Sequence, residues 1–348
     1  NDKASIIAYA KKLEGKTLRM ACGEVVASHH YAGKGNFGQV LEKFYFLYEP
    51  NSDAEPDFAE VGLELKTTPL KRLQNQAYRS KERLVLNIIN YEEIVRQDFE
   101  TSAFWKKNAN LLLVFYIYQP NSDLLDYPIA VVGEWRFSDI DLEIIKNDWK
   151  TIHQKVAQGR AHELSEGDTF YLGACTKGAK GGNLRKQPNS AILAKQRAFS
   201  LKQGYVNHII ASLSNEKPGV FGSLIPSPSA LKKQTMEEIV VSKFERFYNQ
   251  SVDDIQNSLN VSLNKNAKSF HADLTKAILG IELDKDIEEF EKADIIVKTI
   301  RLKPNNLPKE DISFPAFKFE KLVAEDWDDS DFKDILEHKF LFVFFQFE

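Results

Sequence analysis

Asp57, Glu64 and Lys66 place two acids and an amine in one short span. Val61, Leu63, Leu65 and Thr67 alternate with Gly62, Glu64 and Lys66, the period of a β-strand with one buried face. Glu64 and Lys66 therefore share a side, about 6–7 Å apart along the strand. Asp57 follows Pro56 and comes before the strand begins. Carboxylates and an ammonium gathered there can hold a divalent cation with a water beside it. Carboxylate oxygens suit hard Mg²⁺. Such an ion can offset charge building on a phosphate while it activates the water. The competing reading is a solvated sheet face carrying an ordinary ion pair.

Two other places copy part of this pattern. Glu14-Gly15-Lys16 has the acid-x-lysine spacing without an alternating strand. Asp141 and Asp148-Trp149-Lys150 copy the full spacing, but the pattern over 140–157 predicts a helix, where the same spacing gives a different geometry. His29-His30 has no cysteine at zinc spacing, and Cys175 has no histidine-based triad nearby in sequence.

The elements needed to carry the site are legible in outline. A short helix is expected over 5–15. A second opens near 34–36, with Phe37, Val40, Leu41, Phe44 and Tyr48 on one stripe. Residues 51–56 form a turn-rich lead into the strand. Further strands are expected at 84–89, 111–118 and 129–135, a loop at 177–187 rich in Gly and Lys, and a helix at 190–198. From Ser214 the chain becomes loop-like, with Pro226-Ser227-Pro228-Ser229 in the same stretch.

At 348 residues the chain exceeds one typical core, so two domains are expected: 1–213, a linker at 214–235, and 236–348. A 43% hydrophobic content with 28% charged residues is that of an ordinary globular protein. Two cysteines provide no disulfide framework, which points to a reducing cytoplasm, and no run is long and apolar enough to span a membrane. The net charge of −4 does not single out a nucleic-acid binder, but its distribution does more. Between Gly173 and Gln203 lie Lys177, Lys180, Arg185, Lys186, Lys195, Arg197 and Lys202 with no acid among them, which suits a phosphate-rich partner.

Pro56-Asp57…Glu64-Leu65-Lys66 resembles the PD-(D/E)xK signature of restriction-type nucleases. The wider context is similar to one branch, the MutH mismatch-repair endonuclease and the GATC-cutting type II restriction enzymes related to it. The blocks that carry this are residues 33–38 with Glu42, residues 57–69, residues 80–91, and residues 171–202. The restriction branch resembles the chain more than the repair branch does. The resemblance implies an α/β fold, a restriction-endonuclease-like mixed sheet flanked by helices. It implies a Mg²⁺-dependent endonuclease cutting double-stranded DNA before the G of 5′-GATC-3′ and leaving a 5′ phosphate. Asp57, Glu64 and Glu42 would be the metal ligands, and Lys66 and Lys107 would complete the catalytic set. Lys34, Gly35, Thr176, Lys177, Lys180, Arg185, Arg197 and Lys202 would contact DNA. A MutH-like nickase and a non-catalytic DNA-binding module are the alternatives.

The chain also repeats itself. Phe37…Leu41-Glu42 matches Phe270…Leu274-Thr275. Asp57-Phe58 and residues 63–67 match Glu289-Phe290 and residues 295–299, and residues 111–119 match 340–348. Thr275 replaces Glu42 and Ile296 replaces Glu64, so the second copy is expected to be folded, catalytically inactive and truncated within a strand. By resemblance it would bind a second DNA site, through a dimer on DNA or through DNA looping.

Overall fold

The computed structural model describes residues 2–23, 25–26, 36–50, 54–73, 77–178, 183–214, 219–325, 327 and 330–347. Lys34, Gly35, Lys180 and the pair His29-His30 lie outside the described residues. The strands of the first part are β1 (Glu64–Arg72), β2 (Tyr78–Ser80), β3 (Leu84–Ile88), β4 (Leu111–Ile117), β5 (Ile129–Trp135), β6 (Leu172–Thr176), β7 (Leu184–Gln187), β8 (Ser190–Lys195) and β9 (Arg197–Leu201).

A mixed sheet in the order β2-β1-β4-β5 holds the centre. β1 and β4 run parallel with Glu64 opposite Leu111, while β2 and β5 are antiparallel on the two edges. Leu65, Leu112, Val114 and Val132 pack toward Phe37, Val40 and Leu41 on one face. Leu111, Leu113 and Phe115 pack on the other, toward Ile144, Ile145, Trp149 and Ile152 of the Asp139–Ala157 helix. That helix is capped by Ser138, whose hydroxyl accepts from Asp141 N–H at 3.2 Å. β1 is thus covered on both faces, as central parallel strands are, and the expected single buried face is corrected.

The strand also starts later than the alternation implies. Ala59–Val61 forms a 3₁₀ turn, and Gly62 adopts the left-handed conformation at φ 60°. Phe58 N–H donates to Leu63 O at 2.9 Å, which closes the loop just ahead of Glu64. The turn swings Asp57 back alongside the start of β1.

A second sheet, β3-β9-β6, is antiparallel throughout. β7 and β8 pair as a hairpin. The helix expected at 190–198 is therefore a strand, a turn of register and a second strand. Asn189, left-handed at φ 57°, reverses the chain and commits Ser190 to antiparallel pairing with Gln187. The helical bias of the alanines there gives way to this pairing.

The later part is packed into the same core. Leu224, Ile225 and Leu231, in the stretch expected to be a linker, are buried together with Trp149 and Tyr205. Pro228 opens a short helical turn, Pro228–Leu231. β10 (Phe221–Gly222) pairs with β11 (Asp286–Ile287), and β12 (Ile296–Leu302) pairs in parallel with β13 (Phe340–Gln346). Ile296 stands opposite Phe340 as Glu64 stands opposite Leu111, the correspondence read from the sequence. The turn ahead of the strand is reproduced as well: Ile295 N–H donates to Phe290 O, as Leu63 N–H does to Phe58 O, and Asp294 is left-handed at φ 53° where Gly62 is at 60°.

Candidate active site

Glu64 is 1% exposed at the first position of β1. Its Oε2 accepts from the backbone N–H of Asp57 at 3.1 Å, and Leu65 N–H donates to Asp57 Oδ2 at 2.9 Å. These reciprocal bonds lock the two acids side by side across the turn. Lys66 Nζ donates to Glu64 Oε1 in a tight ion pair. Lys107, in the Ala103–Asn108 helix that leads into β4, brings its Nζ to 3.6 Å from the same oxygen and donates to Glu55 O at 3.2 Å. The solvated-face reading of Glu64 and Lys66 is overturned by this burial. Lys106, next to Lys107, points outward.

Glu42 joins from the other side. The expected regular helix is interrupted: Asn36–Val40 passes into a wider π-type turn over Leu41–Tyr45, where Phe46 N–H reaches back to Leu41 O at 3.0 Å. Such turns often accompany functional positions. Burial, then the negative charge of Asp57, push the Glu42 carboxyl up to about 7, against the pull of Lys66. Glu64 is raised chiefly by burial and opposed by Lys66. A Cβ on Gly38 would lie 3.4 Å from Thr67 Oγ1 and 3.8 Å from Glu42 Oε1, ordinary contact distances, so the packing does not require the room that this glycine leaves.

Tyr48 was not singled out by sequence reading beyond its place on the apolar stripe. Its hydroxyl is buried with no hydrogen-bond partner among the described residues, and burial followed by the charges of Asp57, Glu42 and Glu64 raise its pKa. An orphaned hydroxyl beside three carboxylates fits a site that takes up water or a hydrated hard cation. The all-oxygen donor set of Glu42, Asp57 and Glu64 agrees with that. In the present arrangement both Glu64 oxygens are engaged, and no three acids, histidines or cysteines among the described residues are spaced to hold an ion.

From Thr67 to Pro69 β1 forms one wall of a cleft of about 640 Å³. Thr67, Thr68 and Pro69 line it from β1; Lys81, Glu82 and Arg83 line it from the β2–β3 turn; Thr176, Lys177 and Arg197 line it from the second sheet. Glu42, Asp57, Glu64, Lys66 and Lys107 do not line this cleft; Thr67, next to Lys66 on β1, does. Arg83 is ion-paired with Glu166. Arg83 lies in the recognised 80–91 block but carried no spacing signal of its own. Arg185 is exposed on the hairpin, with Nη2 3.1 Å from Gln196 Oε1.

Lys202, expected to contact DNA, lines the cleft but is largely buried. It is 7% exposed, its Nζ donates to Thr169 O at 2.6 Å, and burial lowers its pKa. It lies where β9 turns into the Gln203–Leu213 helix, and this packing uses its charge internally. The decoy acids are structural: Asp148 accepts from Phe170, Tyr171 and Leu172 N–H at 2.7–2.9 Å, and Asp141 accepts from Tyr205 Oη at 2.9 Å.

A model of the family described as DNA mismatch repair enzyme MutH matches residues 46–148, the span holding Asp57, Glu64, Lys66 and Lys107. The type II restriction enzyme Sau3AI of Staphylococcus aureus is 42% identical over 341 residues, covering 94% of this chain and 68% of that protein. The chain belongs to the MutH-like restriction endonuclease family. Repair-branch relatives match a smaller share of the chain. The DNA mismatch repair protein MutH of Shewanella woodyi is 25% identical over 59% of this chain and 90% of its own length. That of Vibrio campbellii is 24% identical over 60% and 92%. The MutH-like fold expected from the sequence is the mixed, helix-flanked sheet described above. No helix among the described residues is long and apolar enough to cross a membrane.

Proposed function

We propose that this chain is a type II restriction endonuclease that hydrolyses double-stranded DNA at 5′-GATC-3′, before the G, with a 5′-phosphate product and Mg²⁺ as cofactor. The observation that carries this is the joining of Asp57, Glu64 and Lys66 at the buried start of β1, where the strand runs on into a cleft bordered by Lys81, Lys177 and Arg197. The relative Sau3AI, named as a type II restriction enzyme, supports the reaction class.

Asp57, Glu64 and Glu42 would hold the metal only once Glu64 gives up its present bonds to Lys66 and Asp57 N–H; when bound, the metal supplies a Lewis acid for the phosphate and an activated water. The protein's own groups do the rest. The bonds from Asp57 N–H to the Glu64 carboxylate and from Leu65 N–H to the Asp57 carboxylate fix the two acids before substrate arrives. Lys66 Nζ, once released from Glu64, orients the attacking water and takes part in its deprotonation, or steadies charge on the pentavalent phosphorus. Lys107 adds positive charge at the same carboxylate. Thr176 and Lys177 stand at the cleft for base reading or phosphate contact, with lysine able to donate to guanine O6 or N7.

The second copy is proposed to be inactive and to bind a second DNA site. Ile296 cannot ligate a metal, and Glu289, in the place of Asp57, spends its oxygens on Ser223 Oγ and the N–H groups of Leu224 and Ile225. The matches to mismatch repair proteins favour one second reading, a nickase specific for one unmethylated strand. End-mapping of a digested duplex of known sequence, with and without Mg²⁺, tests the proposal; it is expected to place both cuts before G. Strand-resolved digestion of unmethylated and hemimethylated GATC decides between the readings, since nicking of one strand alone supports the nickase. Retained binding without any metal-dependent cutting would overturn both.

A further inference from the structure

The turn of the second copy that corresponds to the acid-bearing turn of the first is bonded to the catalytic half. Asp294, in the left-handed position of Gly62, accepts from Gly204 N–H through Oδ2 at 2.8 Å. Gly204 lies in the first turn of the Gln203–Leu213 helix, where a Cβ would collide with the carbonyl of Glu291. Lys292, 7% exposed, pairs with Asp141 Oδ1 at 3.0 Å, and Tyr205 Oη donates to the same carboxylate. The helix turn so gripped is tied to both walls of the cleft. Gln203 Nε2 donates to Ser80 O at 2.6 Å, and Ser80 N–H donates to Asn207 Oδ1 at 2.8 Å. Ser80 leads directly into Lys81, Glu82 and Arg83, while β9 with Arg197 runs into the helix from the other side. Asp294 itself lines the cleft.

We propose that Asp294 and Lys292 are positioning residues for the catalytic half: the retired site turn of the second copy holds the start of the Gln203–Leu213 helix, and through it the spacing of the two cleft walls. This rests on the reading of that cleft as the DNA path. It predicts an effect on duplex binding rather than on the chemical step, which acids that do not line the cleft perform.

Asp294→Gly keeps the left-handed backbone and removes the acceptor, whereas Asp294→Asn keeps an acceptor oxygen for Gly204 N–H. In the full chain, with folding checked by near-ultraviolet circular dichroism, Asp294→Gly is expected to raise KM for a GATC duplex about tenfold at nearly unchanged kcat, and Asp294→Asn to restore wild-type KM. An unchanged KM in the glycine variant, a fall in kcat alone, or equal impairment of both variants would overturn the proposal. If the glycine variant does not fold, amide hydrogen exchange of the wild type decides. Adding the duplex without divalent metal must slow exchange in 288–294 together with 197–207, and no change in 288–294 contradicts it. A wild type that neither binds nor cuts the duplex would sink the endonuclease reading instead.

Discussion

At Glu64 the chain sets a buried carboxylate between a backbone N–H and two ammonium groups, which distinguishes it from an exposed ion pair. The residue types and their spacing were legible because Asp57, Glu64 and Lys66 lie close in sequence on one turn and one strand. Tyr48 was less so: its relation to the acids depends on where the π-type turn leaves the chain, and no spacing rule encodes that. Its hydroxyl, unpartnered among the described residues, carries a prediction. Tyr48→Phe removes a buried group that lost its water contacts without gaining a bond, so in metal-free buffer it is expected to stabilise the fold by about 1 kcal/mol in urea denaturation. A loss of stability would show that the hydroxyl has a partner in solution.

Among the elements, the Asp139–Ala157 helix was readable from its apolar stripe, and the β7–β8 hairpin was not. The hairpin turns on the left-handed backbone at Asn189, a local choice that outweighs the helix preference of the alanines after it. The same helix carries Asp148, whose carboxyl burial pushes up to about 6 from 3.8 despite its three N–H donors. With the folded value above the unfolded one, its contribution to stability is full below about pH 3.8 and is lost as pH rises through about 6. Stability of the wild type relative to Asp148→Asn should therefore fall by about 2 kcal/mol between pH 4 and pH 7, read from paired urea titrations. A difference that stays flat with pH would contradict the shift.

Over the whole molecule, the sequence repeat marked the second copy and its strand correspondence, because side-chain pattern survives duplication. It did not show that 219–235 would be built into one core with the first part, since Leu224, Ile225 and Leu231 are scattered among loop-forming residues. Nor did it distinguish the cations of the basic run. Exposed Arg185 and cleft-lining Lys177 are expected to meet phosphate or base edges, and buried Lys202 to hold the fold. Lys177→Ala and Arg185→Ala should each weaken duplex binding and, where the contact is to phosphate, reduce the slope of log K against log salt by about 1; Lys202→Ala should lower the thermal midpoint instead. The central claim, that Asp57, Glu64 and Lys66 together hydrolyse DNA, is tested most directly by single-turnover cleavage of a GATC duplex. Asp57→Asn, Glu64→Gln and Lys66→Ala, each folded and each binding the duplex near wild-type affinity, are expected to cut at least about a thousandfold more slowly. Cleavage by any one of the three at close to the wild-type rate would contradict the account.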